Sequence, residues 1–393
     1  MNWETIFTTQ RIGQQKESAG PRSGFQKDFD RIIFSSAFRR LQNKTQVFPL
    51  PGSTFVHNRL THSLEVASVG RSLGSIVGEK LSREIEDTSN DSYEFYRYEL
   101  ANVIAAGCLA HDIGNPAFGH SGEKAISAYF INNSQYKIDG KELRQFFTDE
   151  EWADISNFEG NANAIRILTH LFRGRLTPGL GLTYTTIASI LKYPCDSTSV
   201  NKEYKHRKKF GFFQSEKKAI YAVAEKLGMR REEGTATIFQ RHPFVYLVEA
   251  ADDICYSIID MEDAHRLGIL SYELVKETFF HVISCLNAET EYENRTVEIY
   301  AKIEDPNEKI AFLRARSINL LTTKAAEVFW ENKQQILDGT FNDTLLDSIE
   351  RNCGALQEVI KISNEKIYNH DTVLKIEIAG YNVMSELLGL FVP

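Results

Sequence analysis

The dipeptide His111–Asp112 closes an apolar helical run, Leu100 to Leu109, and Gly114 and Pro116 then stop the helix and turn the backbone. Adjacent helical side chains point about 100° apart, so the pair converges on one point only if the last turn opens. It would then set a nitrogen and a carboxylate oxygen side by side, as a cation site needs; a capping or surface pair is the alternative. His120 and Glu123 are three residues apart at the start of another helix and share a face. A carboxylate there can orient an imidazole for proton transfer, or serve as a cap. A third group is the i, i+4, i+8 stripe Asp252, Tyr256 and Asp260 on a long helix opened by Pro243. Its neighbours Ala250, Ala251, Ile254 and Cys255 are apolar, a setting in which an unpaired carboxylate is expensive and one paired with a cation is not.

These groups recur in a recognisable order. Arg59-Leu60-Thr61-His62-Ser63 precedes His111-Asp112-Ile113-Gly114-Asn115-Pro116, which runs on to Gly119-His120, and Ala251-Asp252-Asp253-Ile254 follows far downstream. A single His, a His-Asp pair and a distant Asp resemble the ligand order of the HD metal-dependent phosphohydrolase superfamily. Asp30-Arg31-Ile32-Ile33 with Phe38-Arg39-Arg40-Leu41, Phe158-Glu159-Gly160-Asn161-Ala162 and Leu191-Lys192-Tyr193-Pro194 extend the likeness. They resemble one branch, the dGTPase-like deoxynucleoside-triphosphate triphosphohydrolases, over most of the chain from about Arg22 onward.

The resemblance implies an all-α fold, an HD-domain helical bundle with an additional C-terminal helical region. It implies His62, His111, Asp112 and Asp252 as metal ligands, with Glu159 and Asn161 behind them holding the ligands or a water. His120 backed by Glu123 is implied as the proton-transfer pair. Arg59, Lys192 and Tyr193 are implied to contact phosphate, Asp260 and Gln46 to hold the 3′-hydroxyl, and the Tyr256 ring to pack where a 2′-hydroxyl would project. The implied partners are a dNTP substrate, a regulatory dNTP or single-stranded nucleic acid, and further copies of the chain in an even-numbered homo-oligomer, a tetramer or hexamer.

The elements that must position these groups are helical, since apolar residues recur at helical spacing and only nine prolines interrupt them. Residues 1–24 read as an N-terminal arm, 25–270 as the core, with 131–156 and 195–215 as insertions or loops, and 271–393 as the C-terminal region. Within the core, Asp28 to Lys44 has helical periodicity, and the segment from Gln46 to Gly52, with Pro49 and Pro51, is expected to be a loop or hairpin. The helix carrying His62 is expected to start near Thr61 as its N-cap. Residues 85–98 read as a polar loop, Asn157 to Leu171 as a helix, and Tyr184 to Tyr193 as a helix ended by Pro194.

Composition narrows the class. With 42% hydrophobic and 25% charged residues the chain is that of a soluble globular protein, and nothing approaches the roughly 20 apolar residues of a membrane span. Five dispersed cysteines are expected to be reduced core residues in a cytoplasm. A net charge of -8 argues against a surface-wide nucleic-acid footprint and requires that a phosphate site be a local positive pocket. The basic run Lys202 to Phe210 is expected to be a solvated loop, with a polyanion-facing or subunit-contact segment as its alternative.

Two imidazoles and two carboxylates without thiolate favour a mid-row divalent ion (Mn, Fe, Co or Ni) over a structural zinc, with Mg open on grounds of availability. The resemblance implies metal-dependent hydrolysis of a dNTP at the α-phosphorus to deoxynucleoside and tripolyphosphate, with dGTP the first substrate to test. The competing readings are an HD phosphohydrolase on a monophosphate, cyclic nucleotide or alarmone, and a regulatory nucleic-acid-binding protein on the same scaffold.

Overall fold

The computed structural model describes residues 1–14, 20–48, 57–85, 90–234, 237–287 and 290–392, and the second half of the Gln46–Gly52 segment, from Pro49, lies outside them. Among the described residues the fold is all-α, and its one small sheet pairs Lys137–Ile138 with Lys141–Glu142. No described helix is long and apolar enough to cross a membrane.

Three helices make the centre. Arg59–Ile85 and Leu100–Ala110 lie side by side, and Pro243–Arg266 packs on both. The first pair can approach closely because Gly70, Gly74 and Gly78 fall at i, i+4, i+8 on one face. A Cβ at these positions would sit 2.4 Å from Cys108 Sγ, 2.8 Å from Ala101 Cα and 2.3 Å from the Tyr96 carbonyl oxygen. Leu73, Val77, Val103, Ile104, Ile254 and Ile258 fill the remaining interface with almost no exposure, each stabilising the fold by about 1.5–3 kcal/mol relative to an exposed side chain.

The outer helices bring distant parts of the chain onto this centre. Residues 1–14 lie against it: Ile6 is buried, its carbonyl accepts a 2.8 Å bond from His242 Nε2, and the buried Arg11 pairs with Asp28. Asp28 Oδ2 in turn accepts from the Thr183 amide and hydroxyl at 2.9 and 2.6 Å. Pro306–Glu331 packs along Pro243–Arg266, and the last helix, Asp371–Phe391, runs beside Gly119–Asn132, where Tyr129 donates to the Val392 carbonyl at 2.8 Å.

Several local expectations are corrected. The Asp28–Lys44 periodicity is split into Gly24–Ile33, Ser36–Arg39 and a tight turn Arg40–Asn43, because Ser35 caps a new start on the Phe38 amide. The His62 helix begins at Arg59, since Asn58 Oδ1 accepts from the Leu60 and Thr61 amides at 3.0 Å and so takes the capping role expected of Thr61. The segment expected as a polar loop over 85–98 holds a helix, Asn90–Glu94, and a π-helical turn, Phe95–Glu99, and Phe95 and Tyr96 are core residues. The Asn157–Leu171 and Tyr184–Tyr193 helices are shorter, Gly160–Thr169 and Tyr184–Ile190.

The cysteine expectation is corrected at two of the five positions. The helix Tyr272–Leu286 crosses Gly354–Ile362 so that the Cα atoms of Cys285 and Cys353 are 5.9 Å apart, and the two form a disulfide. Cys108, Cys195 and Cys255 are free and buried, and burial pushes all three thiols up.

Candidate active site

His62 sits in the first turn of Arg59–Ile85, His111 and Asp112 at the end of Leu100–Ala110, and Asp252 midway along Pro243–Arg266. The packing of these three helices brings the four side chains together. His62, His111 and Asp112 each offer an atom within 4.8 Å of the others. Asp252 Oδ1 lies 3.1 Å from His62 Nε2 and 3.4 Å from His111 Nε2. The helix ends at Ala110 with His111 still in the right-handed helical region, and the chain then turns on the Ala110 carbonyl, which accepts from the Ile113 amide at 3.2 Å.

The orientation of the His111 ring is set from behind. Its Nδ1 donates to the Cys108 carbonyl at 2.6 Å, which leaves Nε2 as the nitrogen that faces the cluster. That Nε2 is buried and makes no hydrogen bond, although Asp252 and Asp112 oxygens lie 3.4 and 3.6 Å away. Burial alone would depress the His111 imidazole, but Asp112 and Asp252 overcome it and hold its pKa up at about 9. Burial would likewise raise Asp252, yet His111 and His62 keep it well below the usual carboxylate range. Two imidazoles and two carboxylates that compensate each other in this way fit a divalent cation in charge and in donor type. Asp112 is further braced by Asn115 Nδ2 on Oδ1 and by Arg59 Nη1 at 2.6 Å on Oδ2.

Above the cluster opens a cavity of about 670 Å³. His120 and Glu123 line it, with His120 Nδ1 donating to Glu123 Oε2 at 2.6 Å. The His120 side chain is 73% exposed, and Nε2 is left for another partner. Glu123 is buried, and its second oxygen accepts from the Gly160 amide at 2.7 Å. The turn that delivers the pair includes Phe118 at φ 64°, a left-handed conformation that costs an aromatic residue free energy and is held by the packing around it.

Of the residues expected to meet phosphate, Arg59, Lys192 and Tyr193 all line the cavity. Arg59 also serves Asp112, and Lys192 Nζ lies 3.4 Å from Glu249, whose carboxylate is gripped by both Arg241 nitrogens at 2.8 and 3.2 Å. Gln46 and Tyr256 line the cavity as well, and Gln46 Oε1 is buried without a hydrogen-bond donor. Asp260 does not. It is buried behind Tyr256, accepts a 2.9 Å bond from the Tyr368 hydroxyl, and is pushed up to about 8 by burial, with the Tyr368 bond opposing. Glu159 and Asn161 line the cavity, but they bond to each other and Glu159 to Lys209, while the brace on Asp112 is Asn115.

Sequence reading missed Lys208, Lys209, Tyr368, Val373, Ile376 and Glu377, all of which line the cavity. The basic run is solvated only in part: Lys202, Glu203, Tyr204 and Lys208 are exposed, and Lys209 is half-buried. Lys205 pairs with Asp347 at 2.5 Å and His206 with Glu232 at 2.6 Å, which anchors the front of the run and leads Lys208 and Lys209 inward. Phe210, at the end of the run, is 2% exposed, a sequence signal that the run turns into the protein. Tyr368 stacks on Tyr256 with centroids 5.4 Å apart, a contact across 112 residues that no local pattern announces.

Comparison with known proteins matches residues 59–175 to the HD domain family model. Asp252 comes from outside that stretch. A Synechocystis protein named deoxyguanosinetriphosphate triphosphohydrolase-like is 37% identical, covering 100% of this chain and 86% of its own length. A Pseudomonas aeruginosa protein of the same name is 38% identical over 100% of the chain and 85% of its length. The deoxyguanosinetriphosphate triphosphohydrolase of Yersinia pseudotuberculosis is 31% identical over 98% of the chain and 81% of its length. The chain therefore belongs to the deoxyguanosinetriphosphate triphosphohydrolase-like family.

Proposed function

We propose that this protein is a dNTP triphosphohydrolase that acts on dGTP, cleaving at the α-phosphorus to give deoxyguanosine and tripolyphosphate, with a divalent metal ion as cofactor. The observation that carries this reading is the buried His111 Nε2, without a hydrogen bond, facing Asp252 and Asp112 at the base of a cavity lined by basic groups and by His120–Glu123. The names of the relatives agree with the activity and the base.

His62, His111, Asp112 and Asp252 would hold the ion, which supplies Lewis acidity toward a phosphoryl oxygen. The remaining steps belong to the chain. Lys192, Lys208 and Arg59 supply positive charge along the cavity for the triphosphate. Water forms a new bond to the α-phosphorus and gives up its proton to solvent, while the sugar 5′-oxygen leaves as a strongly basic alkoxide that needs a proton as its P–O bond breaks. His120 donates it from Nε2, with Glu123 accepting at Nδ1 and stabilising the charged ring. The Gln46 carbonyl oxygen, buried and lacking a donor, accepts from the 3′-hydroxyl. The Tyr256 ring fills the space a 2′-hydroxyl would need, and Asp260 acts behind it through Tyr368 rather than on the sugar.

The test is product analysis by anion exchange for each of the four dNTPs, with and without a chelator and with Mn, Mg, Fe, Co or Ni restored in turn. Tripolyphosphate in equimolar amount with deoxyguanosine, abolished by the chelator, is the expected result. Orthophosphate or pyrophosphate in its place would overturn the reading.

A further inference from the structure

Lys209 is held unusually well for a lysine at the end of a basic run. Its carbonyl accepts from Cys195 Sγ at 3.3 Å, and the Gly211 amide donates to the Cys195 carbonyl at 3.0 Å. Its Nζ then reaches Glu159 Oε1 at 3.0 Å. Glu159 occupies the N-cap position of Gly160–Thr169, and the same Oε1 accepts from Asn161 Nδ2 at 2.8 Å. The next amide, that of Gly160, donates to Glu123 Oε1 at 2.7 Å, and Glu123 Oε2 holds His120 at 2.6 Å.

A continuous chain of polar contacts thus runs from Lys209 through one peptide corner to the imidazole. The corner has no slack. A Cβ on Gly160 would lie 2.2 Å from Asn115 Oδ1 and 2.8 Å from Glu123 Oε1, so the residue must be glycine for the backbone to come this near. Asn115 in turn braces Asp112. The position of the 159–160 peptide therefore sets both the proton-transfer pair and one metal-ligating carboxylate.

We propose that Lys209 is a positioning residue for His120–Glu123, acting through Glu159 and the 159–160 peptide and not as a plain contact to the substrate's phosphates. The proposal rests on the triphosphohydrolase reading above. Charge supports it: burial would raise Glu123, while His120 and Lys209 hold it below its ordinary value, so the carboxylate stays ionised. Displacement of a catalytic group by about 1 Å costs on the order of 10²-fold in rate, which sets the expected size of the effect.

The experiment compares the full chain with Lys209→Met, Glu159→Gln, the double variant and Lys209→Arg, measuring kcat and KM for tripolyphosphate release from dGTP. Both single variants and the double should lose kcat by one common factor, on the order of 10²-fold, with KM nearly unchanged, and Lys209→Arg should recover most of the loss. Losses that multiply in the double variant would overturn the proposal. So would a Lys209→Met whose defect lies in KM alone, which would make Lys209 a phosphate contact, and so would wild-type turnover in Glu159→Gln. An unsubstituted protein that releases no tripolyphosphate from any dNTP would instead sink the hydrolase reading. The positioning claim is then decided by a crystal structure of Lys209→Met. Release of Glu123 Oε1 from the Gly160 amide is expected, and an undisturbed contact would overturn it.

Discussion

The proposed cation cluster and the proposed proton-transfer pair line one cavity and are built in opposite ways. His62, His111 and Asp252 project from the three helices that form the core, and the backbone behind them is locked by glycine contacts and buried aliphatic residues. His120 and Glu123 stand at the start of a peripheral helix, after a strained turn, and are aimed by a peptide corner, by ion pairs from the basic run and by the last helix. The first region gains its precision from packing, which pays the ordering entropy as part of making the core. The second depends on polar contacts that are individually modest. One region should therefore fail only when a ligand is removed, and the other should be tunable from several places.

Asp252→Ala should break the comparison most visibly if it is wrong. Loss of a ligand from a cation worth several kcal/mol to the transition state predicts at least about a 10³-fold fall in turnover, together with loss of bound metal by elemental analysis. Metal retained at wild-type stoichiometry would mean that packing alone does not define the cluster. His120→Ala should leave metal content intact and lower kcat by about 10²–10⁴-fold. Full turnover in that variant would remove the proton-transfer role.

A stability measurement sharpens the contrast from the other direction. His57, just ahead of the His62 helix, bonds Asp263 through Nδ1 at 2.8 Å and Glu65 through Nε2 at 3.1 Å. Burial would lower its pKa, but these two carboxylates raise it from 6.5 to about 10. Its charged bonds thus stabilise the fold fully below the unfolded value near 6.5, and that contribution is lost as pH rises through about 10. Urea midpoints should fall between neutral pH and pH 10, and the fall should be shallower in His57→Gln, which gives up on the order of 2 kcal/mol at neutral pH. Parallel pH slopes in the two proteins would show that the clasp contributes nothing. The smallest expected effect is at Tyr368→Ala, which removes the ring stacked on Tyr256 and should relax the dNTP-to-NTP ratio of kcat/KM roughly tenfold. An unchanged ratio would place sugar selection in Tyr256 alone.

The same division decides what could be read from the sequence. That His62, His111, Asp112 and Asp252 come together was legible because they lie in short motifs that resemble a family's ligand order, on strongly periodic helices whose core follows from the same periodicity. Asp260 was legible as a member of the stripe, but its facing was not: the i+8 position points along the stripe, and only the arrival of Tyr368 shows that it is capped from behind. Lys209 resisted reading because an ammonium in a basic run looks solvated until Glu159 and the buried Phe210 are found beside it. Glu159 itself was expected behind the metal ligands, and its lysine partner, 50 residues away, could not be inferred from spacing. Cys285 and Cys353 carry no paired spacing, and only the crossing of two C-terminal helices makes them neighbours.

Tyr368, Val373, Ile376 and Glu377 line one wall of the cavity, yet they follow all four candidate ligands in the chain by more than a hundred residues. A ribosome making this protein reaches all four proposed ligands well before the wall. A polypeptide ending before Tyr368 would carry the proposed ligands without the residues proposed to close over the sugar. The proposed sugar selectivity therefore depends on chain made after every proposed ion ligand.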